Sequence, residues 1–169
     1  LENVNGIAAI GIGIGLMTIV GQCIGAGEKE QAVYYIKKLA VLSEVVVIIC
    51  CLIIWGLTKP ITMIAGMEPA SADMCFYMMT VITIVKPIVW VPAFIPPYGL
   101  RAAGDVKFSM ILSTCSMWIF RVSLCIYLCR AQGFGPIAVW IGMFTDWTVR
   151  SIVFTIRFHR RKWLDHKVV

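Results

Sequence analysis

The chain consists mostly of long apolar stretches with few or no charged residues, separated by short polar segments. Five such stretches cover about residues 4–26, 39–58, 74–100, 108–129 and 135–156. A helix needs about 20 mostly apolar residues to cross the roughly 30 Å hydrocarbon core of a bilayer, because it rises about 1.5 Å per residue. Transmembrane β-strands have only about 9–11 alternating residues. The pattern therefore predicts an all-α, polytopic bundle of transmembrane helices with five spans.

Composition supports a membrane protein. Hydrophobic residues make up 60% of the 169 positions and charged residues 14%, whereas soluble domains have roughly 45–50% apolar residues. The apolar character continues to about Ile156, so a signal peptide cannot account for it. The chain begins at Leu1 without an initiator Met, and we expect it to be a piece of a longer protein, with one partial domain over residues 1–158.

The basic residues outside the spans are distributed unevenly. Ten fall on one side of the predicted bundle and two, Lys59 and Arg130, on the other. The ten are Lys29, Lys37, Lys38, Arg101, Lys107, Arg157, Arg160, Arg161, Lys162 and Lys167. Because cytoplasmic loops carry excess Lys and Arg, we expect a multi-pass plasma-membrane protein whose basic tail, residues 159–169, is cytoplasmic. Long uncharged runs between the charges argue against a nucleic-acid partner.

Lys86 lies about 12 residues into the third span, directly before Pro87. A charge at this depth costs at least about 2.5–3.5 kcal/mol, so Lys86 should face an acidic partner or a wet cavity. The span also contains Pro92, Pro96 and Pro97, which should kink or break its helix. We therefore expect Lys86 either to line a substrate or ion pathway or to form a structural ion pair. Apolar candidates for the pathway lining are Met78, Met79, Trp90 and Phe94.

The last two spans carry three further charges, Arg121, Asp146 and Arg150. Arg121 and Asp146 lie at similar distances from the outer ends of their spans, so they can meet if the helices are neighbours. Asp146 and Arg150 are also spaced i, i+4 on one helical face. Asp146 could thus be shared between two arginines, as a buried salt bridge or as part of the pathway.

Small-xxx-small spacing occurs in the first span at Gly11/Gly15 and Gly21/Gly25. Such spacing lets helices approach closely in lipid. The seven cysteines lie in apolar runs with no CxxC pair, where cysteine behaves as a small hydrophobe rather than as a metal ligand. We expect no metal site and no cofactor. Enzyme signatures such as HExxH, GxSxG and the Walker loop are absent from the sequence, which argues against an enzyme and against ATP hydrolysis.

Four blocks resemble motifs of one transporter family. Residues 21–27, GQCIGAG, contain Gly21, Gln22 and Gly25 and resemble the "GQ-x-x-GA" signature of multidrug and toxic compound extrusion (MATE) transporters. Residues 100–108, LRAAGDVKF, with Arg101, Gly104 and Asp105, are similar to the family's "LRGAGDTKF" loop. Residues 117–122 and 133–141 are similar to its "W-x-x-R-x-P" and "G-x-x-G-V-W" segments, and Asp146, Trp147 and Arg150 continue the likeness. Ser123 stands where many members have proline, and Ala103 where a second glycine is common.

The resemblance implies two six-helix lobes, of which this chain would supply helices eight to twelve. The N-terminal lobe and helix seven would be the chain's partners, together with the lipid bilayer. It further implies efflux of amphiphilic, often cationic compounds in exchange for Na⁺ or H⁺, by alternating access. The acidic residues implicated in coupling lie in the missing part, so no coupling site can be assigned to this chain. Two alternatives are a lipid-linked saccharide flippase of the wider superfamily and a membrane subunit that transports nothing.

Overall fold

The computed structural model describes residues 4–131, 136–161 and 163. Within these ranges all regular structure is helical. Seven α-helices are described: α1 Val4–Gly25, α2 Lys29–Ile64, α3 Pro69–Phe94, α4 Pro96–Ala102, α5 Val106–Ser116, α6 Leu124–Ala131 and α7 Pro136–His159. A π-helical segment, Met117–Ser123, joins α5 to α6. Residues 133–135 of the fourth motif and most of the predicted basic tail lie outside the described residues.

Five helical stretches of the described chain are long and apolar enough to cross a membrane. They are Gly6–Gly25, Lys29–Ile64, Pro69–Ala102, Val106–Arg130 and Ile137–His159. The predicted all-α bundle with five candidate spans is therefore confirmed. Large apolar side chains remain exposed along these helices, for example Leu52 at 56% and Trp118 at 60%. Such exposure suits a bundle surrounded by lipid or by further protein.

Helix α2 is longer than the apolar stretch that predicted it. Its 36 residues measure about 54 Å at 1.5 Å per residue, well beyond the roughly 30 Å hydrocarbon core. The polar residues before residue 39 continue the same helix, because nothing in this segment breaks the backbone hydrogen-bond ladder. Pro60 lies inside α2 as well, near its far end.

Helix α3 continues through two of its prolines and ends only at the second pair. Pro87 and Pro92 lie inside Pro69–Phe94, whereas Ile95 separates α3 from α4. Consecutive Pro96 and Pro97 cannot donate hydrogen bonds to α3, but they occupy the first positions of α4, where a helix needs no internal donor. The expectation that the prolines break the helix is therefore met at Ile95, and not at Pro87 or Pro92.

The fourth span contains an irregularity that the apolar pattern did not predict. Around Arg121 the backbone is π-helical, and the Ser123 hydroxyl donates to the carbonyl of Trp118 over 3.0 Å. An ideal Cβ added to Gly142 on α7 would lie 3.0 Å from the carbonyl oxygen of Arg121. The π-helical segment and α7 therefore approach each other closely at Gly142.

The helices pack around one apolar core. Helix α1 packs on α2 and α4, α2 on α3, and α3 on α7, while α5 and the π-helical segment also pack on α7. Fully buried core residues include Leu16, Val47, Ile82, Leu100 and Phe154. Helix α7 thus packs on both α3 and α5, so that its charged residues can contact both.

Close approach through glycine occurs at positions other than those expected. A Cβ added at Gly11, Gly15, Gly21 or Gly25 would meet no atom within 4 Å. One added at Gly13 would lie 2.7 Å from the Tyr98 ring of α4. Within the described chain, α1 therefore packs through the face that carries Gly13, and the predicted small-xxx-small packing is wrong for this set of helices.

Candidate functional site: a buried charge cluster

Asp146 and Arg150 lie one turn apart on α7 and form a buried ion pair. The Arg150 Nε donates to Asp146 Oδ1 over 2.9 Å, and the two side chains are 10% and 1% exposed. Taking two charges out of solvent is costly, so a buried pair is stable only when further hydrogen bonds satisfy its atoms. The pair therefore depends on the groups that surround it.

Helix α5 supplies two of those groups. The Ser116 hydroxyl donates to Asp146 Oδ1, and Arg150 Nη2 donates to the backbone carbonyl of Ser113 over 2.9 Å. Asp146 Oδ2 is also buried and has no hydrogen-bond partner among the described residues. Asp146 thus joins α5 to α7 through Oδ1, while Oδ2 can accept one further hydrogen bond.

Lys86 lies on the α3 side of the same region. Its side chain is 1% exposed, and its Nζ lies 5.3 Å from the centroid of the Trp90 ring. Trp90 stacks on Phe94, with centroids 4.9 Å apart and ring planes at 22°. The Arg150 guanidinium lies 5.7 Å from the Phe94 centroid. The two stacked rings thus lie between two cations, each at a distance typical of cation–π attraction.

Helix α1 covers this arrangement from a third side. A Cβ on Gly6 would lie 3.2 Å from the Trp90 ring and 3.9 Å from Lys86 Nζ, so the absence of a side chain at Gly6 lets α1 pack directly on the ring. We name Lys86, Trp90, Phe94, Asp146 and Arg150 the buried charge cluster. It connects α3 and α7 and reaches α5 through Ser113 and Ser116.

The structure brings together three of the five pathway candidates. Lys86, Trp90 and Asp146 belong to the buried charge cluster. Met79 is also buried, at 3% exposure, but among the described residues no hydrogen bond, ion pair or ring contact joins it to the cluster. Arg121 is partly exposed, and among the described ion pairs none joins it to Asp146.

The expectation that Asp146 is shared between two arginines is therefore not met. The helices are neighbours, as the prediction required, but the backbone carbonyl of Arg121 is what approaches α7, at Gly142. Ser116 and Arg150 occupy the hydrogen-bonding positions on Asp146 Oδ1.

Sequence reasoning missed the serines. Ser116 lies 30 residues before Asp146, and nothing in its local sequence distinguishes it from other serines of α5. Phe94 was considered only as an apolar lining residue, although it lies against Arg150. Such contacts depend on the rotation and height of neighbouring helices, which the apolar pattern does not specify.

Two motif glycines end helices. Gly27 and Gly104 have positive φ angles of 80° and 91°, the left-handed conformation that glycine adopts without strain. After Gly104, the Asp105 amide donates to the Leu100 carbonyl over 3.0 Å. The glycine of the predicted 100–108 loop thus ends α4 and places Asp105 at the start of α5.

Two further ion pairs link distant segments at the end of the bundle where α4 and α7 end and α2 begins. The Arg157 Nε donates to Asp105 Oδ2 over 2.8 Å, and its guanidinium lies 4.6 Å from the Phe108 centroid. Arg161 Nη1 donates to Glu30 Oε1 over 2.7 Å. The end of α7 is thereby attached to the α4–α5 turn and to the start of α2. Asp105, the acid that follows Gly104, is the residue of that turn that pairs with α7.

A cavity of about 230 Å³ opens between α3 and α7. Its lining includes Tyr77, Met78, Trp140 and Phe144. Flexible methionine and rigid aromatic rings can accommodate apolar groups of varied shape. No group of three His, Cys, Asp or Glu side chains that could hold a metal ion occurs among the described residues.

Comparison with known proteins identifies the family. Residues 1–127 match the family profile described as MatE. This chain belongs to the MatE family. The family resemblance inferred from the four sequence motifs is therefore confirmed, and the matched range extends from α1 to the first half of α6 and includes Lys86.

The chain also resembles individual curated proteins, at low to moderate sequence identity. Over its whole length the chain is 24% identical to a protein of Thermotoga maritima named "Probable multidrug resistance protein NorM", covering 36% of that protein. A protein of Acinetobacter baylyi with the same name is 24% identical over 84% of the chain and 31% of its own length. An "Uncharacterized transporter YisQ" of Bacillus subtilis is 37% identical over 40% of the chain and 15% of its length. No solved structure matches the chain significantly.

The chain thus spans about a third of the length of the two NorM relatives. The MatE match together with the five candidate spans makes it a membrane member of this family.

Proposed function

We propose that the protein containing this chain exports amphiphilic, often cationic compounds in exchange for Na⁺ or H⁺. The observation that carries the proposal is the MatE match over residues 1–127. It is supported by the printed names of the two NorM relatives, which describe probable multidrug resistance proteins. Membership of this family favours a transporter over an enzyme.

The proposed mechanism is alternating access between two lobes, with this chain forming helices eight to twelve. A bound ion can bias such a transition only through different affinities for its two states. The lobe must then move as one body. The buried charge cluster supports that requirement, because it connects α3, α5 and α7 through charged and aromatic contacts.

Within this proposal, Asp146 and Lys86 stabilise the lobe, because both side chains are almost fully buried. Trp90 contributes to the same packing. Met79 and Arg121 stay pathway candidates, and the cavity with Tyr77, Met78, Trp140 and Phe144 supplies apolar surface for a substrate. The coupling ion would bind elsewhere, in the part of the transporter that this chain does not include.

The proposed location is the plasma membrane, with the C-terminus in the cytoplasm. The unequal distribution of basic residues supports this orientation. Asp105, Arg157, Glu30 and Arg161 would then form their ion pairs on the cytoplasmic side.

Ethidium transport into everted membrane vesicles tests the proposed function. Vesicles containing the full transporter should move ethidium when a Na⁺ or pH gradient is imposed, and an ionophore that collapses the gradient should stop the movement. Vesicles without the transporter are the control. Absence of gradient-dependent movement for ethidium and for other lipophilic cations would refute cation-coupled drug export.

A further inference from the structure

A groove of about 250 Å³ lies between α2, α3 and the end of α7. Its walls are mostly apolar and include Val41, Pro92 and Phe158. Two charged residues of α2, Lys37 and Glu44, also line the groove. They are seven residues apart, or about 10 Å along the helix axis, so the groove has a positive end and a negative end.

Basic side chains without ion-pair partners lie towards the same end of the bundle as Lys37. Arg157 and Arg161 are neutralised by Asp105 and Glu30, and these same ion pairs bring the ends of α4 and α7 close to the start of α2. Five other basic residues form no ion pair among the described residues: Lys37, Lys38, Arg101, Lys107 and Arg160. This end of the bundle therefore attracts anions.

An apolar groove that contains one lysine, towards the basic end of a bundle of membrane-spanning helices, fits an anionic amphiphile. Lipids with negative headgroups bind basic residues at the membrane surface, at about 1 kcal/mol per Lys or Arg. Their acyl chains gain from contact with an apolar wall, because dispersion contacts accumulate along a well-packed groove. Both properties are present here within one cavity.

We propose that this groove binds an anionic phospholipid. Its phosphate contacts Lys37, and one acyl chain lies along Val41, Pro92 and Phe158. Glu44 sets the direction, because its carboxylate repels a phosphate at the inner end of the groove. The proposal is independent of the transported substrate, since the groove shares no lining residue with the cavity of Tyr77, Met78, Trp140 and Phe144.

A lipophilic cation would use the groove in the opposite way. It would place its positive charge beside Glu44 and would have to pass Lys37. The excess of basic residues without ion pairs towards the Lys37 end of the bundle favours the phospholipid. Substitutions of Lys37 and Glu44 separate the two occupants.

Native mass spectrometry of the purified membrane protein tests the proposal with phosphatidylglycerol and phosphatidylcholine as probes. Phosphatidylglycerol should be retained preferentially. Lys37→Gln should weaken its binding about fivefold, the equivalent of one lysine–headgroup contact. Lys59→Gln, the same substitution at the far end of α2, should leave binding unchanged. Ala40→Trp, which fills the groove, should reduce the retention of both lipids.

Three results would overturn the proposal. Equal binding of both lipids would remove the role of the headgroup. Equal losses from Lys37→Gln and Lys59→Gln would show that charge acts without a specific site. Tetraphenylphosphonium binding that is lost in Glu44→Gln and kept in Lys37→Gln would assign the groove to a lipophilic cation. Because Lys37 is exposed, its variant tests the proposal even if Ala40→Trp fails to fold.

Discussion

At the scale of single residues, the structure separates two uses of charge. Asp146 and Arg150 are buried and hydrogen-bonded on α7, whereas Glu30 and Arg161 form a pair whose side chains are 78% and 54% exposed. A buried pair whose partner is removed leaves an uncompensated charge, while an exposed pair is screened by water. The buried Asp146–Arg150 pair is therefore expected to affect stability much more than the exposed Glu30–Arg161 pair.

Asp146→Asn should destabilise the protein by about 3–5 kcal/mol, because it leaves Arg150 buried without a counter-charge. Ser116→Ala should cost less, about 1–3 kcal/mol, since it removes one donor to Asp146. Thermal unfolding in detergent measures both effects. Asp73→Asn, at an exposed acid near the start of α3, is the control. Equal melting temperatures for Asp146→Asn and the parent protein would remove Asp146 from the buried charge cluster as a stabilising group.

At the scale of helices, glycines on different faces of α1 have different surroundings. Gly13 is buried against Tyr98 of α4, whereas Gly15 is exposed and has open space beside it. Two residues correspond to roughly 200° around a helix, so the two glycines lie on nearly opposite faces. The lack of a side chain is therefore needed for close packing at Gly13 but not at Gly15.

Gly13→Ala should destabilise the protein by about 1–3 kcal/mol, because the new methyl group would overlap the Tyr98 ring unless α1 or α4 shifts. Gly15→Ala should be neutral or stabilise the protein by up to about 1 kcal/mol, since alanine is the better helix former. Denaturation of the two variants under identical detergent conditions compares them directly. Similar losses of stability in both variants would contradict the packing of α1 on α4 through Gly13.

At the scale of the whole molecule, the end of α7 connects segments that are far apart in sequence. Arg157 reaches Asp105 across 52 positions, and Arg161 reaches Glu30 across 131. Both contacts lie at the same end of the bundle. The first is largely buried, with 23% and 6% side-chain exposure, so the two pairs should contribute unequally.

A double-mutant cycle with Arg157→Gln and Asp105→Asn should yield a coupling energy of about 1–2 kcal/mol. The corresponding cycle with Arg161→Gln and Glu30→Gln should yield less than about 1 kcal/mol, and it should decrease further at high salt. Unfolding measurements at two salt concentrations supply both cycles. A larger coupling for the exposed pair would show that burial does not govern these contacts.

Several parts of the candidate site could be predicted from the sequence. The depth of Lys86 in an apolar stretch and the i, i+4 spacing of Asp146 and Arg150 identified charges that need partners. The residues that contact these charges were harder to predict. Arg121 and Arg150 were both expected on Asp146, but only Arg150 binds there, together with Ser116. The π-helical segment instead brings the backbone of Arg121 towards Gly142.

The sequence by itself determined that this chain forms five helices fit to cross a membrane. The reason is local, since a backbone in lipid must satisfy its hydrogen bonds within one helix, and long apolar stretches meet that condition wherever they occur. The motifs likewise identified the family. Only the tertiary structure decided that α1 packs through Gly13, that the third span breaks at Ile95, and that Ser116 completes the Asp146 site. These outcomes depend on how neighbouring helices are rotated and shifted against one another, and that arrangement is set by packing between residues distant in the chain.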